Sequence, residues 1–416
     1  MKLPLQLRLA TPAPILLLGA LLLPPSAWTQ EAATRAESIN TQRTNKQARI
    51  WPERTSGFVT QLNKLTERGL LEGGESGKGL NGVQLVLGGM RSGNGTSVGV
   101  GYRRIDLWNE RISFRSTARG TPRRAFMFDT EIESPRLQRK NTDLRLYAKY
   151  ENSPRMDFYG QGPDSEKSMR SSYRLEDFGL DLEGRQLIWN HLYLGATGGF
   201  YTANTGAGRR PGIPTTQELF DPDETPGLGA QGKFLRAGGL VQYDYRDNPG
   251  GPRSGANYYF KYTRYWDQDL GQHTFHQLEW AAEQYVPYWN QTRVLALRLA
   301  TVMVYADPGQ TVPFFLQASL GGNNSLRGFE RYRFHDQSSI LFTAEHRWYV
   351  FSGMHAAAFF EAGKVGPKAS QMNFHELEYS GGIGLRFTVR DTVVMRLDNA
   401  VSREGYRFMW TFSNAW

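Results

Sequence analysis

The chain has 416 residues, a formal net charge of +9, 45 glycines, 13% aromatic residues and no cysteine. The lack of cysteine excludes a disulfide framework, a thiolate zinc site and a cysteine nucleophile. Abundant glycine and aromatic residues favour many short strands with tight turns.

The N-terminus has the pattern of a secretory signal. Lys2 and Arg8 form a charged end, residues 15–23 form an apolar core, and small residues follow at cleavage spacing. We predict a signal peptide at residues 1–29. The apolar core is too short to span a bilayer comfortably, and no later apolar run reaches 18 residues. The mature chain is therefore expected outside the cytoplasm, which argues against nucleic acid as the partner of its basic charge.

Residues 30–79 differ from the rest of the chain. Their first part is polar, and a short helix is predicted to begin after Ser56, with Phe58, Leu62 and Leu65 on one face. We interpret this region as a short periplasmic segment with one helix.

From about residue 80 onward, the hydrophobic residues recur with a period of two. Leu144, Leu146 and Ala148, for example, alternate with Arg145 and Lys149. Successive side chains of a strand point to opposite faces, so one face is apolar and the other polar. A soluble sandwich would also alternate. The length of the segments, about 10–14 residues, and the Tyr and Trp residues at their ends favour a transmembrane barrel instead.

We therefore predict an all-β fold, a transmembrane antiparallel β-barrel of about 16 strands, over residues 80–416. The predicted strands are 81–90, 95–104, 108–118, 124–134, 141–152, 170–184, 191–205, 232–245, 255–266, 271–285, 292–305, 337–350, 353–363, 378–389, 391–401 and 404–416.

The predicted connections support this count. With a periplasmic N-terminus, connections from odd to even strands face outside and should be the long ones. The three longest, 153–169, 206–231 and 306–336, are all of this kind. A single missed strand would break the pattern.

Four motifs follow one another in the second half of this barrel: YDYRDNPGGPRSG at 243–255, LRGF at 326–329, FFEAG at 359–363 and GGIGLRF at 381–387. They resemble motifs in the barrel domain of the BamA/TamA outer-membrane assembly superfamily, the bacterial surface antigen proteins. The resemblance covers about residues 80–416. It implies a location in the outer membrane of a Gram-negative-type bacterium and an infolded long extracellular loop that carries the LRGF motif.

In the resembled family, the loop arginine contacts an acidic residue of the strand motif that FFEAG matches. Carried over, Arg327 pairs with Glu361. The sequence departs from the family here, because Glu361 replaces Asp and Leu326 replaces Val or Ile, which leaves the geometry of the pair open. The residues carried over as a site are the loop motif Leu326, Arg327, Gly328 and Phe329, its lumen partners Glu361, Phe359 and Gly363, and the strand motif Gly382, Gly384 and Arg386.

Two further elements match the family pattern. The motif at 243–255 is interpreted as a periplasmic turn that sets strand register, with Asp244, Arg246, Asp247, Pro249 and Gly255 as its residues. The C-terminal strand resembles an assembly signal read during insertion, formed by Tyr406, Phe408, Trp410, Phe412 and Trp416.

Three functions stay open at this point. The first is insertion or translocation of proteins at the outer membrane, with lipids, unfolded outer-membrane or exported proteins, and a periplasmic protein or lipoprotein as partners. Only about 50 residues lie between the predicted signal peptide and the barrel, so we expect a barrel-only branch without POTRA modules, which puts the insertase role in question. The second is a loop-gated pore for small anions, and the third is a structural barrel that docks a periplasmic partner. The lumen-facing cations expected for the pore are Arg103, Arg145, Lys149, Arg298, Arg386 and Arg396.

Signals for catalysis are poor. The seven histidines lack metalloprotease spacing, and neither a nucleophile elbow nor a Walker loop is found. We therefore expect no enzyme, no cofactor and no metal site.

Overall fold

The computed structural model describes residues 61, 81–88, 90–91, 94–137, 142–389 and 391–412. The described residues lie in one compact unit, Glu53–Trp416. The predictions for the signal peptide, for residues 30–79 apart from Gln61, and for Trp416 lie outside the described residues and stay predictions.

Strands dominate the described part of the chain. They are β1 Gly82–Leu87, β2 Val98–Asp106, β3 Ile112–Gly120, β4 Phe126–Leu137, β5 Thr142–Phe158, β6 Ser171–Trp189, β7 Leu192–Ala207, β8 Gln231–Asp244, β9 Gly255–Asp267, β10 Phe275–Tyr288, β11 Arg293–Ala306, β12 Ala318–Leu320, β13 Phe334–Asp336, β14 Ser338–Phe351, β15 Met354–Gly366, β16 Glu378–Val389, β17 Thr392–Ser402 and β18 Gly405–Thr411.

Sixteen of these strands form one antiparallel sheet, in which each strand pairs with the next in chain order. β12 and β13 form a separate two-stranded hairpin, so β11 pairs with β14. A Cβ atom on Gly88 would lie 3.8 Å from the ring of Phe412, so the two ends of the sheet approach each other. The predicted all-β fold with 16 strands is confirmed.

Between Asn81 and Phe412, the described helices are single turns. The helices are α1 Leu107–Glu110 and α2 Thr216–Leu219, and the 3-10 turns are Lys167–Met169, Phe314–Leu316 and Ala369–Gln371. Among the described residues, no helix has the length and apolar character needed to cross a membrane.

The alternation expected from the sequence separates the two faces of the sheet. On β2, Val98, Val100 and Tyr102 are exposed on the outer face. On the inner face, carboxylates such as Asp129 and Glu151 are almost fully buried. The exposed face is therefore the lipid-facing one, and the lumen contains the polar side chains.

Strand lengths differ from the predicted ones in two regions. β5, β6 and β7 have 17, 19 and 16 residues, because they continue to pair with one another beyond the apolar segment. The last strand was predicted to reach residue 416; within the described residues its pairing with β17 ends at Thr411, opposite Arg396, and residues 413–416 lie outside them. Phe412 therefore lies beyond the end of β18.

The long connections lie together at one end of the sheet. They are residues 159–170, 208–230 and 307–337, whereas opposite connections such as 190–191 and 352–353 are short. The long ends are extracellular in barrels of this kind. An aromatic cluster lies between these strands and connections and fills the extracellular part of the lumen. It includes Phe158, Tyr173, Phe234, Phe275 and Phe314.

Candidate functional site

The connection between β11 and β14 folds into the lumen. One buried cluster joins this connection to the barrel wall. In it, the loop residue Phe329, Leu320 of β12 and Phe334 of β13 pack against Leu341 of β14 and Val365 of β15. The rings of Phe329 and Phe334 lie 5.1 Å apart, edge to face. These contacts place residues 321–333, which we call the Arg327 loop, against the barrel wall.

Tight backbone turns shape the Arg327 loop. Gly321 and Gly322 have φ angles of 109° and 102°, which favour glycine. The N–H of Gly322 donates to the carbonyl of Phe329 at 3.1 Å, and the N–H of Phe329 donates to the carbonyl of Leu326 at 2.9 Å. Leu326 itself is fully buried with a φ of 42°, an uncommon conformation that this packing holds in place.

Arg327 is buried among carboxylates. Its Nε donates to Glu361 Oε1 at 2.8 Å and its backbone N–H donates to Glu361 Oε2 at 2.6 Å. Its Nη1 donates to Glu345 Oε2 at 2.9 Å and lies 3.5 Å from Asp398. Burial disfavours the charged guanidinium, but Glu361, Glu345 and Asp398 outweigh this and raise the pKa of Arg327 above its ordinary value. The guanidinium therefore stays charged.

The carboxylate of Glu361 contacts both the guanidinium and the backbone N–H of Arg327. One oxygen accepts from the guanidinium, and the other accepts from the backbone N–H of Arg327 and from Ser380 Oγ at 2.8 Å. The replacement of Asp by Glu is thus compatible with a two-point contact. The ring of Phe359 lies under the guanidinium, with Arg327 Cζ 3.4 Å from the ring centroid, which adds a cation–π contact.

The sequence predicted one ion pair, but the structure contains a network. Glu345 also accepts from Arg347 at 2.7 Å and from Arg386 at 2.8 Å. Asp398 accepts from Arg386 at 2.6 Å. In the sequence, Glu345 and Asp398 can be recognised as acidic residues on the inner face of strands near Glu361. The sequence alone did not show that they contact Arg327.

The network contains more cations than anions. Arg327, Arg347, Arg386 and Arg396 surround Glu345, Glu361 and Asp398. Arg396 completes its contacts with neutral oxygens of the Arg327 loop, since its Nη2 donates to the carbonyl of Asn323 at 2.8 Å and to Asn324 Oδ1 at 3.2 Å. The loop therefore supplies both a charge and neutral acceptors to the barrel wall.

Three motif glycines allow close packing around this network. A Cβ atom on Gly328 would lie 2.7 Å from Ser402 Cβ, and one on Gly382 would lie 2.6 Å from the ring of Phe359. One on Gly384 would lie 2.2 Å from a carboxylate oxygen of Asp398. Larger residues would push the loop, the ring or the carboxylate out of place. Gly363 lies beside Leu320 of the hairpin.

A second buried arginine, which the sequence reading missed, joins the extracellular connections. Arg333 Nε donates to Glu404 Oε1 at 2.6 Å, and its Nη1 and Nη2 donate to Ser165 at 2.9 and 2.6 Å. Its guanidinium also lies over the ring of Tyr159. Arg333 thus links the connections β11–β14, β5–β6 and β17–β18.

The change Arg333→Ala should loosen these three connections. It leaves Glu404 without its cation and removes two hydrogen bonds to Ser165, a loss of about 2–4 kcal/mol of local stability. We expect faster proteolysis within residues 159–170, with the barrel still folded by gel shift. Arg331→Ala, whose recorded contact is with the neighbouring Tyr332 ring, is the matched control. Unchanged proteolysis in Arg333→Ala would contradict this role.

The residues of the predicted turn lie at the opposite end of the barrel. Arg246 Nη2 donates to Asp244 Oδ2 at 2.8 Å, and Asp247 Oδ1 accepts from the N–H groups of Arg253 and Ser254. Gly255 has a φ of 93°. These contacts hold the connection that also contains Pro249. Arg347 Nη1 donates to the carbonyl of Pro252 at 3.3 Å, so the turn touches the Arg327 network through Arg347.

The predicted C-terminal residues are divided by the end of β18. Tyr406, Phe408 and Trp410 are exposed on its outer face. Phe412 is half-buried and packs with Phe387 and Met395. Their role as an assembly signal stays a prediction.

Five of the six lumen cations named in the sequence analysis lie near carboxylates. Arg145 contacts Glu131, Lys149 lies 3.2 Å from Glu151, and Arg298 lies 3.7 Å from Glu283. Arg386 and Arg396 belong to the Arg327 network. Much of the positive charge of the lumen is therefore compensated.

The Omp85 superfamily domain matches residues 93–416. The chain is similar in fold to BamA from Haemophilus ducreyi lacking POTRA domains 1–3, at 14% identity with a TM-score of 0.59, over 87% of this chain and 80% of that one. It is also similar to CdiB from Escherichia coli, at 12% identity with a TM-score of 0.53, over 78% of this chain and 60% of that one. No curated protein matches the sequence significantly.

Proposed function

Because the chain is an outer-membrane β-barrel that belongs to the Omp85 superfamily, we propose that it acts in the insertion of proteins into the outer membrane or in their translocation across it. Fold alone does not assign a function. The observation that carries the proposal is the seam between β1 and β18, which has no strand pairing among the described residues and is contacted on its β18 side by the Arg327 loop. The proposed role has no enzymatic step and needs no cofactor.

The seam joins the two shortest strands of the described barrel. β1 has six residues and β18 has seven. No ladder of hydrogen bonds links them in the part of the chain that the structure describes. Within the described residues, the outer edges of β1 and β18 therefore have no partner strand, and an edge of this kind can pair with the strand of another chain.

An unfolded outer-membrane protein or an exported protein is the proposed client. Its strand would add to the edge of β1 or β18 by main-chain hydrogen bonds. Such pairing is favoured in a bilayer, because an unsatisfied backbone group costs several kcal/mol in hydrocarbon. The barrel would thus supply a template on which the first client strand forms.

The Arg327 loop holds the last strands at this seam. Asn323 Nδ2 donates to Thr411 Oγ1 at 3.0 Å, and Arg407 of β18 donates to the carbonyl of Phe329. Ser402 Oγ donates to the carbonyl of Gly328 at 2.8 Å. We therefore assign the loop a role as a latch that fixes the position of β18 while Arg327 anchors it to β14 and β15.

The proposal is tested by locking the seam. Since the chain has no cysteine, Gly88→Cys and Phe412→Cys introduce the only thiols, which a short cleavable maleimide linker can join. Purified barrel in liposomes should speed the folding of an unfolded small outer-membrane protein, followed by its gel shift. Linked barrel should fold the client no faster than empty liposomes do, and cleavage of the linker should restore the rate.

The controls are each single-cysteine variant treated with the same linker. Either of two results would contradict the proposal. The wild-type barrel could fail to speed client folding, or locking the seam could leave the rate of client folding unchanged. Leakage of a small anion, recorded in the same liposomes, tests the pore. The compensated lumen charge and the aromatic cluster in its outer part argue against steady anion flow.

A periplasmic protein or lipoprotein is a further proposed partner. It would dock on residues 30–79, which, apart from Gln61, lie outside the described residues. Pull-down from periplasmic extract with and without this segment would test the docking.

A further inference from the structure

Five arginines surround a cavity at the extracellular rim. Arg123 and Arg124 belong to the β3–β4 turn, Arg155 to β5, Arg174 to β6 and Arg209 to the β7–β8 connection. Together with Asn152 and Pro154 they line a space of about 340 Å³. We call these five residues the rim arginine cluster. The Omp85 site described above does not include it.

The cluster lies on the outer wall of the barrel, not in the lumen. Asn152 is in register with Phe126 on one side and Glu176 on the other, and Phe126 is exposed to lipid. Arg174 shares the face of Glu176, while its neighbours Tyr173 and Leu175 point into the buried aromatic cluster. A Cβ atom on Gly206 would lie 3.7 Å from the Arg174 guanidinium, so this group lies flat on β7.

Aromatic residues place the cluster at the membrane surface. Phe126 and Phe128 are exposed on the outer face, and the ring of Phe126 lies 5.7 Å from that of Tyr150. Such rings mark the boundary between hydrocarbon and headgroups. Arg123 and Arg124 lie three and two residues before Phe126, on its extracellular side, which is the level of lipid headgroups in the outer leaflet.

The cluster also has uncompensated positive charge. Within the described residues, Arg124, Arg155 and Arg209 make no ion pair, and Arg174 lies 3.3 Å from Glu176. Arg155 Nε is buried and has no hydrogen-bond partner there. The nearby Arg170 and Arg210 differ, because both pair with Asp157, at 2.9 and 2.5 Å. The fold therefore keeps at least three cations around an open cavity.

We propose that the rim arginine cluster binds the phosphate groups of a phosphorylated glycolipid headgroup in the outer leaflet. Guanidinium groups present paired N–H donors that match phosphate oxygens and stay charged at any physiological pH. The acyl chains of such a lipid would lie along the exposed face below, where Phe128, Leu180 and Leu182 are accessible. A bound glycolipid would thereby attach strands β3–β7 to the outer leaflet.

The test uses the full barrel in zwitterionic detergent and native mass spectrometry. The probes are a bisphosphorylated lipid A, the same lipid after enzymatic dephosphorylation, and inorganic phosphate as a competitor. Wild-type protein should retain the phosphorylated lipid and release the dephosphorylated one. The triple variant Arg155→Gln, Arg174→Gln, Arg209→Gln should bind it at least about tenfold more weakly, because hydrogen bonds to charged groups are lost.

The control variant is Arg403→Gln, which removes an exposed extracellular arginine outside the cluster. It should bind like wild type, and gel shift verifies that each variant is folded. If the triple variant fails to fold, Arg155→Gln and Arg209→Gln are tested singly, each with a smaller loss expected.

Three results would overturn the proposal. Folded cluster variants could bind as wild type does, or wild-type protein could retain both lipids equally. Millimolar inorganic phosphate could also displace the lipid completely, which would assign the cavity to free phosphate. Lipid retention in the presence of phosphate, lost in the cluster variants, would establish the headgroup site.

Discussion

Replacing Arg327 with alanine is expected to lower the free energy of unfolding of the barrel by about 3–5 kcal/mol, because Glu345 and Glu361 lose a shared cation while they stay buried. The side chain of Arg327 is 1% exposed, so water cannot replace the lost contacts without rearrangement of the loop. Urea unfolding of the barrel in lipid vesicles, followed by tryptophan fluorescence, measures this change.

Arg327→Lys separates charge from geometry. Lysine keeps the charge but cannot reach Glu361 and Glu345 with a planar fork, so we expect recovery of only part of the lost stability. Arg403→Ala, which removes an exposed partner of Glu378, should cost no more than about 1 kcal/mol. An Arg327→Ala barrel as stable as Arg403→Ala would show that the network does not hold the loop.

The consequence for the proposed function is also measurable. If the Arg327 loop is the latch of β18, Arg327→Ala should change the rate of client folding and not stability alone. The seam-locked protein gives the comparison, since its β18 is fixed without the loop.

Glu345→Gln is expected to have an effect of similar or greater size. This carboxylate is fully buried and accepts from Arg327, Arg347 and Arg386. The amide keeps the shape of the side chain but removes its charge, so the four network arginines would face two carboxylates. The mutual repulsion of these cations and the loss of charge-assisted hydrogen bonds should cost at least about 3–5 kcal/mol.

The measurement is again urea unfolding, combined with proteolysis of the Arg327 loop. Glu378→Gln is the matched control, because the cation partner of Glu378 among the described residues is the exposed Arg403. Equal stability of the two variants would mean that the remaining carboxylates compensate for Glu345. A double variant with Arg386→Met tests the mechanism, since removal of one surplus cation should restore part of the loss.

The sequence identified the loop motif and one of its partners. Arg327 and Glu361 were found because short motifs matched a family pattern at the correct strand junction. Glu345 and Asp398 were missed because each is a single acidic residue in an alternating strand, with no local pattern that distinguishes it from any other lumen residue. Arg333 was also missed, because its partners Ser165 and Glu404 lie far from it along the chain.

The sequence by itself determined the repeating unit of this protein. Period-two alternation, aromatic residues at strand ends and turn residues are local features, and they sufficed to predict sixteen strands and the long connections at one end. The lengths of β5–β7 were less well predicted, because a strand ends where its neighbour stops pairing and not where its own pattern ends.

Only the tertiary structure decided which charges meet. Arg327 contacts carboxylates that lie 18 to 71 positions further along the chain, and the rim arginine cluster combines four separate elements on the outer wall. Such contacts depend on strand register and on the inward fold of one loop. A one-residue shift in register would move every side chain of a strand to the other face. The physical reason is that alternation is encoded locally, whereas the meeting of charges requires the whole barrel.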